Sequence, residues 1–234
     1  MNPTGMPRIL RTLVAALPLV VVACGSPDAP APAIASGATA KADARPDRAG
    51  PAPRIVFLGD SLTAGLGLPR EQAVPSLIQE RLREEGYRYE VVNAGVSGDT
   101  SAGGLSRLEW SLEGDVEILV IELGANDGLR GLPVSQMKRN LGEIVTRAKR
   151  RGITVILTGM EAPPNYGAAY TSEFRKAFRD VADEHGVAFV PFFLAGVAGI
   201  GSLNNSDGLH PNAAGARIVA ETLWRAFEPV LEER

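Results

Sequence analysis

The chain has 234 residues, 45% of them hydrophobic and 22% charged, with a formal net charge of −3. That balance is ordinary for a globular protein and excludes the basic surface that nucleic-acid binding requires. The single cysteine, Cys24, excludes an internal disulfide, a cysteine nucleophile in the folded part and a cysteine zinc site.

Arg8 and Arg11 precede an apolar stretch from Leu13 to Ala23. The stretch is short of the roughly 20 residues that span a bilayer. A basic start and a brief apolar core fit a secretory signal. The core ends in Val21-Val22-Ala23-Cys24-Gly25, which resembles a bacterial lipobox. In that motif the leader is cut before the cysteine and the cysteine carries lipid. Residues 1–23 are therefore expected to be a lipoprotein signal peptide and Cys24 a lipidation site. Residues 25–53 are rich in Ala, Pro, Gly, Ser and Asp and lack apolar periodicity. Such a stretch cannot bury enough surface to offset its ordering entropy. The expected organisation is a lipidated tether over 24–53, reaching on the order of 30 Å, and one domain over 54–234. An exported protein anchored to a membrane follows from this reading, with its domain in the periplasm or at the cell surface.

The domain opens on an apolar run over 54–58, which predicts a buried strand. It runs into Gly59-Asp60-Ser61-Leu62. Helical spacing of Val74, Leu77, Ile78 and Leu82 predicts a helix over 71–85, stopped by Gly86. A strand over 89–92 leads into 93–100, which carries Gly95 and Gly98. Leu105, Leu108 and Leu112 suggest a helix. The run 116–123 is almost wholly apolar and predicts a strand buried on both faces. It ends in Gly124-Ala125-Asn126-Asp127-Gly128. A long helix is predicted over 134–151, a strand over 153–157, and a loop over 161–169. A helix over 170–185, a strand over 187–190 and an irregular stretch over 192–206 follow. Pro211 is expected to open the last helix.

Strands alternating with helices, the strands nearly all apolar, predict an α/β fold with a parallel sheet covered on both faces. Right-handed crossovers bring the strand ends to one edge. The order 2-1-3-4-5 is the common small solution. The loops after the first three strands then converge, and they carry Ser61, Gly98 and Asn126.

Those residues suit nucleophilic catalysis. A serine nucleophile needs a base, an orienting acid and donors for an oxyanion. The chain has two histidines. His185 ends a helix before Gly186, where a cation favours the helix dipole. His210 lies in Ser206-Asp207-Gly208-Leu209-His210-Pro211, three residues after Asp207. In a tight turn that spacing brings a carboxylate to one imidazole nitrogen while the other faces the serine. Gly98 offers an approachable amide, Asn126 a side-chain amide, and Ser61 its own N–H. Taken singly, each residue also fits a structural role. Ser61 and Asn126 suit helix caps, Gly98 a turn, and Asp207 with His210 a capping turn.

The set of four blocks is more specific. Gly-Asp-Ser-Leu, Ser-Gly-Asp-Thr, Gly-x-Asn-Asp and Asp-x-x-His-Pro, in this order, resemble the SGNH (GDSL-type) hydrolases. The likeness points in particular to bacterial multifunctional esterases of the thioesterase I, lysophospholipase and arylesterase group, to which 93–100, 122–131 and 163–167 are similar. It spans essentially the whole domain. It implies a flavodoxin-like three-layer α/β/α sandwich. It also implies that Ser61 is the nucleophile, His210 the base and Asp207 its partner, with Ser61, Gly98 and Asn126 as the oxyanion hole. Gly95 is the neighbouring alternative to Gly98 and fits its block less well. Hydrolysis of esters and thioesters through an acyl-serine then needs no metal or organic cofactor. The expected partners are a small ester or thioester substrate and, through the lipid, a membrane.

Other readings use the same residues. A carbohydrate acetylesterase keeps the chemistry and changes the substrate. A non-catalytic surface lipoprotein would bind carbohydrate or lipid. A flavodoxin-like mononucleotide binder is disfavoured, because 59–67 lacks the lysine and spacing of a P-loop. Leu66, Leu68, residues 163–166 and Phe192, Phe193 and Leu194 are candidates for an acyl-binding surface, or simply close the core at that edge.

Overall fold

The structure, a computed structural model, describes residues 50–233. The expected leader, Cys24 and the tether up to residue 49 lie outside these residues. Within them, β1 (Arg54–Gly59), β2 (Glu90–Gly95), β3 (Val116–Glu122), β4 (Thr154–Thr158) and β5 (Ala188–Val190) form one parallel sheet. The strand order is β2-β1-β3-β4-β5, as expected from the alternation of elements.

Side chains alternate between sheet faces along a strand. Ile55, Val56, Phe57 and Leu58 are all buried, so both faces of β1 are covered. On one face, α2 (Val74–Glu84) packs on α8 (Ala213–Glu232), and Phe57 stacks on Phe227 at 6.0 Å. The right-handed crossovers that move in the other direction place α3 (Ser101–Ser106), α6 (Val134–Arg150) and α7 (Gly167–His185) on the opposite face. The register sets Gly59 of β1 level with Gly95 of β2 and Glu122 of β3. Three loops therefore leave the sheet side by side.

Some boundaries differ from the periodicity. The stretch around Leu105–Leu112 forms two short helices, α3 and α4 (Leu108–Ser111), parted at Arg107. Arg107 turns inward there: Nη2 donates to Gly59 O at 2.9 Å, Nη1 to Ala94 O at 2.7 Å, and Nε pairs with Asp99 at 2.6 Å. The last helix begins at Ala213 rather than Pro211. Asn212 is its cap, its side-chain oxygen accepting from the Ala214 and Gly215 amides at 3.0 and 3.2 Å. An asparagine oxygen satisfies two otherwise orphaned amides, while Pro211 sits upstream in an extended bridge with Asn204. Short helices also occupy the loops, α1 (Ser61–Ala64) after β1 and α5 (Ala125–Leu129) after β3.

Candidate active site

The loop that carries Ser61 begins with a forced turn. A Cβ on Gly59 would lie 2.0 Å from Thr63 Oγ1 and 2.8 Å from the Glu122 carbonyl oxygen. Only glycine lets β1 leave the sheet this sharply. Asp60 then caps α1, its Oδ1 accepting from the Leu62 amide at 3.0 Å. The cap is thus Asp60, and Ser61 is the first helical residue, largely buried at 9% exposure.

The histidine loop is held by asparagines. Asn204 Nδ2 donates to the carbonyls of Val197 and Ile200 at 2.8 and 2.9 Å. Asn205 Nδ2 reaches Leu66 O at 3.4 Å and so ties this loop to the one that follows Ser61. Asp207 Oδ1 accepts from the amides of Leu209 and His210 at 2.9 and 3.0 Å, which closes a tight turn. Its Oδ2 lies 2.7 Å from His210 Nδ1, and His210 Nε2 lies 2.8 Å from Ser61 Oγ.

The protonation pattern follows from the donors. The amides of His210 and Leu209 and the imidazole hold the Asp207 carboxyl down to about 2, from 3.8. An ionised carboxylate only accepts, so the proton on His210 sits at Nδ1. Nε2 is then free to accept from the Ser61 hydroxyl. Because the carboxyl is stronger in the fold, its contribution to stability exists above pH 3.8 and is lost as pH falls through about 2.

Three candidate donors lie on the loops that leave β1, β2 and β3. Among the described residues, neither the Ser61 nor the Gly98 amide donates a hydrogen bond within the protein. Gly98 has a φ of +86°, which suits glycine, and Arg130 Nη2 donates to its carbonyl at 2.8 Å. The Gly95 amide, by contrast, already donates to Asn93 Oδ1 at 2.9 Å. Asn126 Nδ2 donates one hydrogen to Asp60 Oδ2 at 3.0 Å and keeps a second. Asp127, next to it, is buried and accepts from the Ser101 amide and hydroxyl at 2.8 and 2.6 Å, which fastens α5 to α3.

His185 is remote from this group. It ends α7 before β5 and so lies at the opposite edge of the sheet. The apolar candidates divide. Leu66 and Tyr166 are exposed, while Phe193 and Leu194 are buried in the core. Leu66, Leu68, Val74 and Phe193 line a cavity of about 10 Å³ beside Ser61 and His210, room for about one water.

Sequence reasoning assigned no role to Asp60, Thr63, Arg107 or Glu122. Glu122 left a signal, as the lone carboxylate closing the apolar run 118–123. Arg107 left none, because the carbonyls it reaches, of Gly59 and Ala94, lie 48 and 13 residues away.

The profile of the GDSL-like Lipase/Acylhydrolase family matches residues 57–218. The chain is 44% identical over 178 residues to the esterase TesA of Pseudomonas aeruginosa, across 76% of this chain and 89% of that protein. It is 33% identical over 185 residues to the thioesterase 1/protease 1/lysophospholipase L1 of Escherichia coli K12, across 79% of this chain and 88% of that protein. A crystal structure of TesA aligns with a TM-score of 0.73 at 44% identity, across 75% of this chain and 98% of that one.

Proposed function

The chain belongs to the GDSL-like lipase/acylhydrolase family and hydrolyses carboxylic esters and thioesters, and we propose that it does so through an acyl intermediate on Ser61. The observation that carries the assignment is the unbroken line of hydrogen bonds from Asp207 through His210 to Ser61, at 2.7 and 2.8 Å.

His210 Nε2 takes the Ser61 proton as Oγ attacks the substrate carbonyl. Asp207 stabilises the imidazolium that forms. The tetrahedral oxyanion accepts from the amides of Ser61 and Gly98 and from the free N–H of Asn126. One side-chain donor of this kind typically contributes about 2.7–4 kcal/mol to the barrier difference. His210 then gives its proton to the leaving alcohol or thiol, and the C–O or C–S bond breaks. Water, deprotonated by His210, attacks the acyl-serine and releases the acid.

The substrate follows from the surface beside Ser61. Its lining is apolar, through Leu66, Leu68, Val74 and Phe193, but its enclosed volume is small, about 10 Å³. An acyl chain therefore lies along the rim, where Leu66 is exposed, rather than in a tunnel. Each fully buried methylene is worth about 0.8 kcal/mol, and partial burial gives less. We expect kcat/KM to rise by about 10-fold from acetyl to medium acyl chains, with aryl esters and thioesters both cleaved. The small volume is also what favours the carbohydrate acetylesterase reading. A panel of graded acyl chains on aryl, thioester and lysophospholipid leaving groups separates the two. A steep preference for acetyl over butyryl and hexanoyl would overturn the medium-chain assignment.

The N-terminal reading belongs to the same proposal. We assign residues 1–23 to a cleaved leader, Cys24 to lipidation, 24–53 to a tether and 54–234 to the hydrolase domain. The support is the basic and apolar sequence that ends at Cys24. No helix among the described residues is long and apolar enough to cross a membrane. Labelled palmitate should enter the full-length protein in a bacterial host, and Cys24→Ala should abolish it. A wild-type protein without label would remove the anchor.

A further inference from the structure

Glu122 closes β3 behind the nucleophile, and it is 1% exposed. Its neighbours are few. From the β1–α1 turn, the Thr63 hydroxyl donates to Oε2 at 2.9 Å and the Asp60 amide to the same oxygen at 3.3 Å. Oε1 has no hydrogen-bond partner. No cation pairs with Glu122 among the described residues. The charged group that acts on it is the Asp60 carboxyl, which is itself fully buried. Burial raises the Asp60 carboxyl as well, and the Leu62 amide, the Asn126 amide and, last, His210 act against that rise. Two carboxyls thus share a buried site beside the reacting serine, and a bare buried carboxylate oxygen requires a reason.

The distribution of donors decides where the one negative charge resides. Asp60 accepts an N–H at each oxygen, from Leu62 and from Asn126, both at 3.0 Å. Glu122 has both its donors on one oxygen and none on the other. Burial and the nearby Asp60 push the Glu122 carboxyl well above the ordinary range. A proton on Glu122 turns the bare oxygen from an unsatisfied acceptor into a donor, and Asp60 is the charged neighbour of that carboxyl.

Asn126 depends on that choice. An amide places its NH₂ towards an acceptor and its oxygen towards a donor. An ionised Asp60 therefore holds Nδ2 at its own Oδ2 and leaves its second N–H for the oxyanion. A protonated Asp60 would donate to Oδ1 instead and turn the amide over.

We propose that Glu122, as a neutral carboxylic acid, is a positioning residue that keeps the negative charge of the buried pair on Asp60 and so aims the Asn126 amide into the oxyanion hole. The inference rests on the reading of Asn126 as an oxyanion donor given above.

Four variants test it on the full chain. Glu122→Leu should lower kcat by about 10-fold or more, with KM within about 3-fold of wild type. Glu122→Gln keeps an uncharged N–H donor and an acceptor in the same shape, and should restore kcat to within about 3-fold of wild type. In an Asn126→Ala background, Glu122→Leu should cost little more, because both act on one donor. The infrared spectrum at pH 7 should contain a protonated-carboxyl C=O band that Glu122→Gln lacks. That measurement stands even where Glu122→Leu fails to fold. Absence of the band, equal loss in Glu122→Gln and Glu122→Leu, or additive losses with Asn126→Ala would overturn the proposal. Wild-type kcat in Asn126→Ala alone would instead overturn the oxyanion reading on which it rests.

Discussion

Ser61→Ala is expected to lower kcat by on the order of 10⁴–10⁶ and leave the fold intact. The hydroxyl is the only group on α1 within reach of His210 Nε2, at 2.8 Å. In the proposed mechanism no acyl-enzyme forms without it, and the oxyanion donors and the base can assist only a direct attack by water. The structural cost is small. The Ser61 side chain has this single hydrogen bond, whose net worth is about 1 kcal/mol. The turn itself is set by Gly59 and by the Asp60 cap, which the substitution leaves in place. Hydrolysis of a short aryl ester and thermal unfolding measure the two effects. Turnover like that of wild type would remove Ser61 from the chemistry.

The second large effect is a contrast between the two histidines. His210→Ala should lower kcat by on the order of 10⁴–10⁶, because nucleophile and base act as a unit. His185→Ala should leave kcat within about 2-fold and reduce stability only modestly. His185 ends α7 at the edge of the sheet away from the strand C-termini. Its backbone carbonyl accepts from Lys149 and its ring packs near Gly142 of α6. Steady-state kinetics on both variants decide the matter, and the reverse pattern would dismantle the triad. Asp207 adds a check on pH. Its carboxyl, held at about 2, stays ionised throughout the neutral and mildly acidic range. Loss of activity on mild acidification is therefore not Asp207 taking up a proton.

Much of this was legible in the chain, for physical reasons. The strands β1 and β3 are buried on both faces, so their apolar runs stand out without alternation. Crossover handedness then fixes which loops meet, and that brings Ser61, Gly98 and Asn126 to one edge. Asp207 and His210 are close in sequence and meet in a local turn, so spacing alone carries that contact. The supporting contacts were not legible. Arg107 bridges Gly59, Ala94 and Asp99, and Glu122 meets Thr63 and Asp60. Such pairings depend on strand register, which periodicity does not specify. The same limit applies to Phe193 and Leu194. Their apolar character predicted burial or an acyl surface equally, and only packing sends them to the core. At Asn212 a side-chain cap displaced the helix start from Pro211, a choice between two sound local signals.

The central claim is that Ser61 is the atom-bearing nucleophile of an ester hydrolase. Covalent labelling with a fluorophosphonate probe, followed by peptide mapping, tests it most directly. The probe needs an activated serine hydroxyl beside oxyanion donors, and it forms a bond that survives digestion. The account predicts one labelled site, Ser61, with stoichiometric loss of hydrolysis and no labelling of Ser61→Ala. Label on another serine, or full hydrolytic activity in protein that takes up no label, would contradict it.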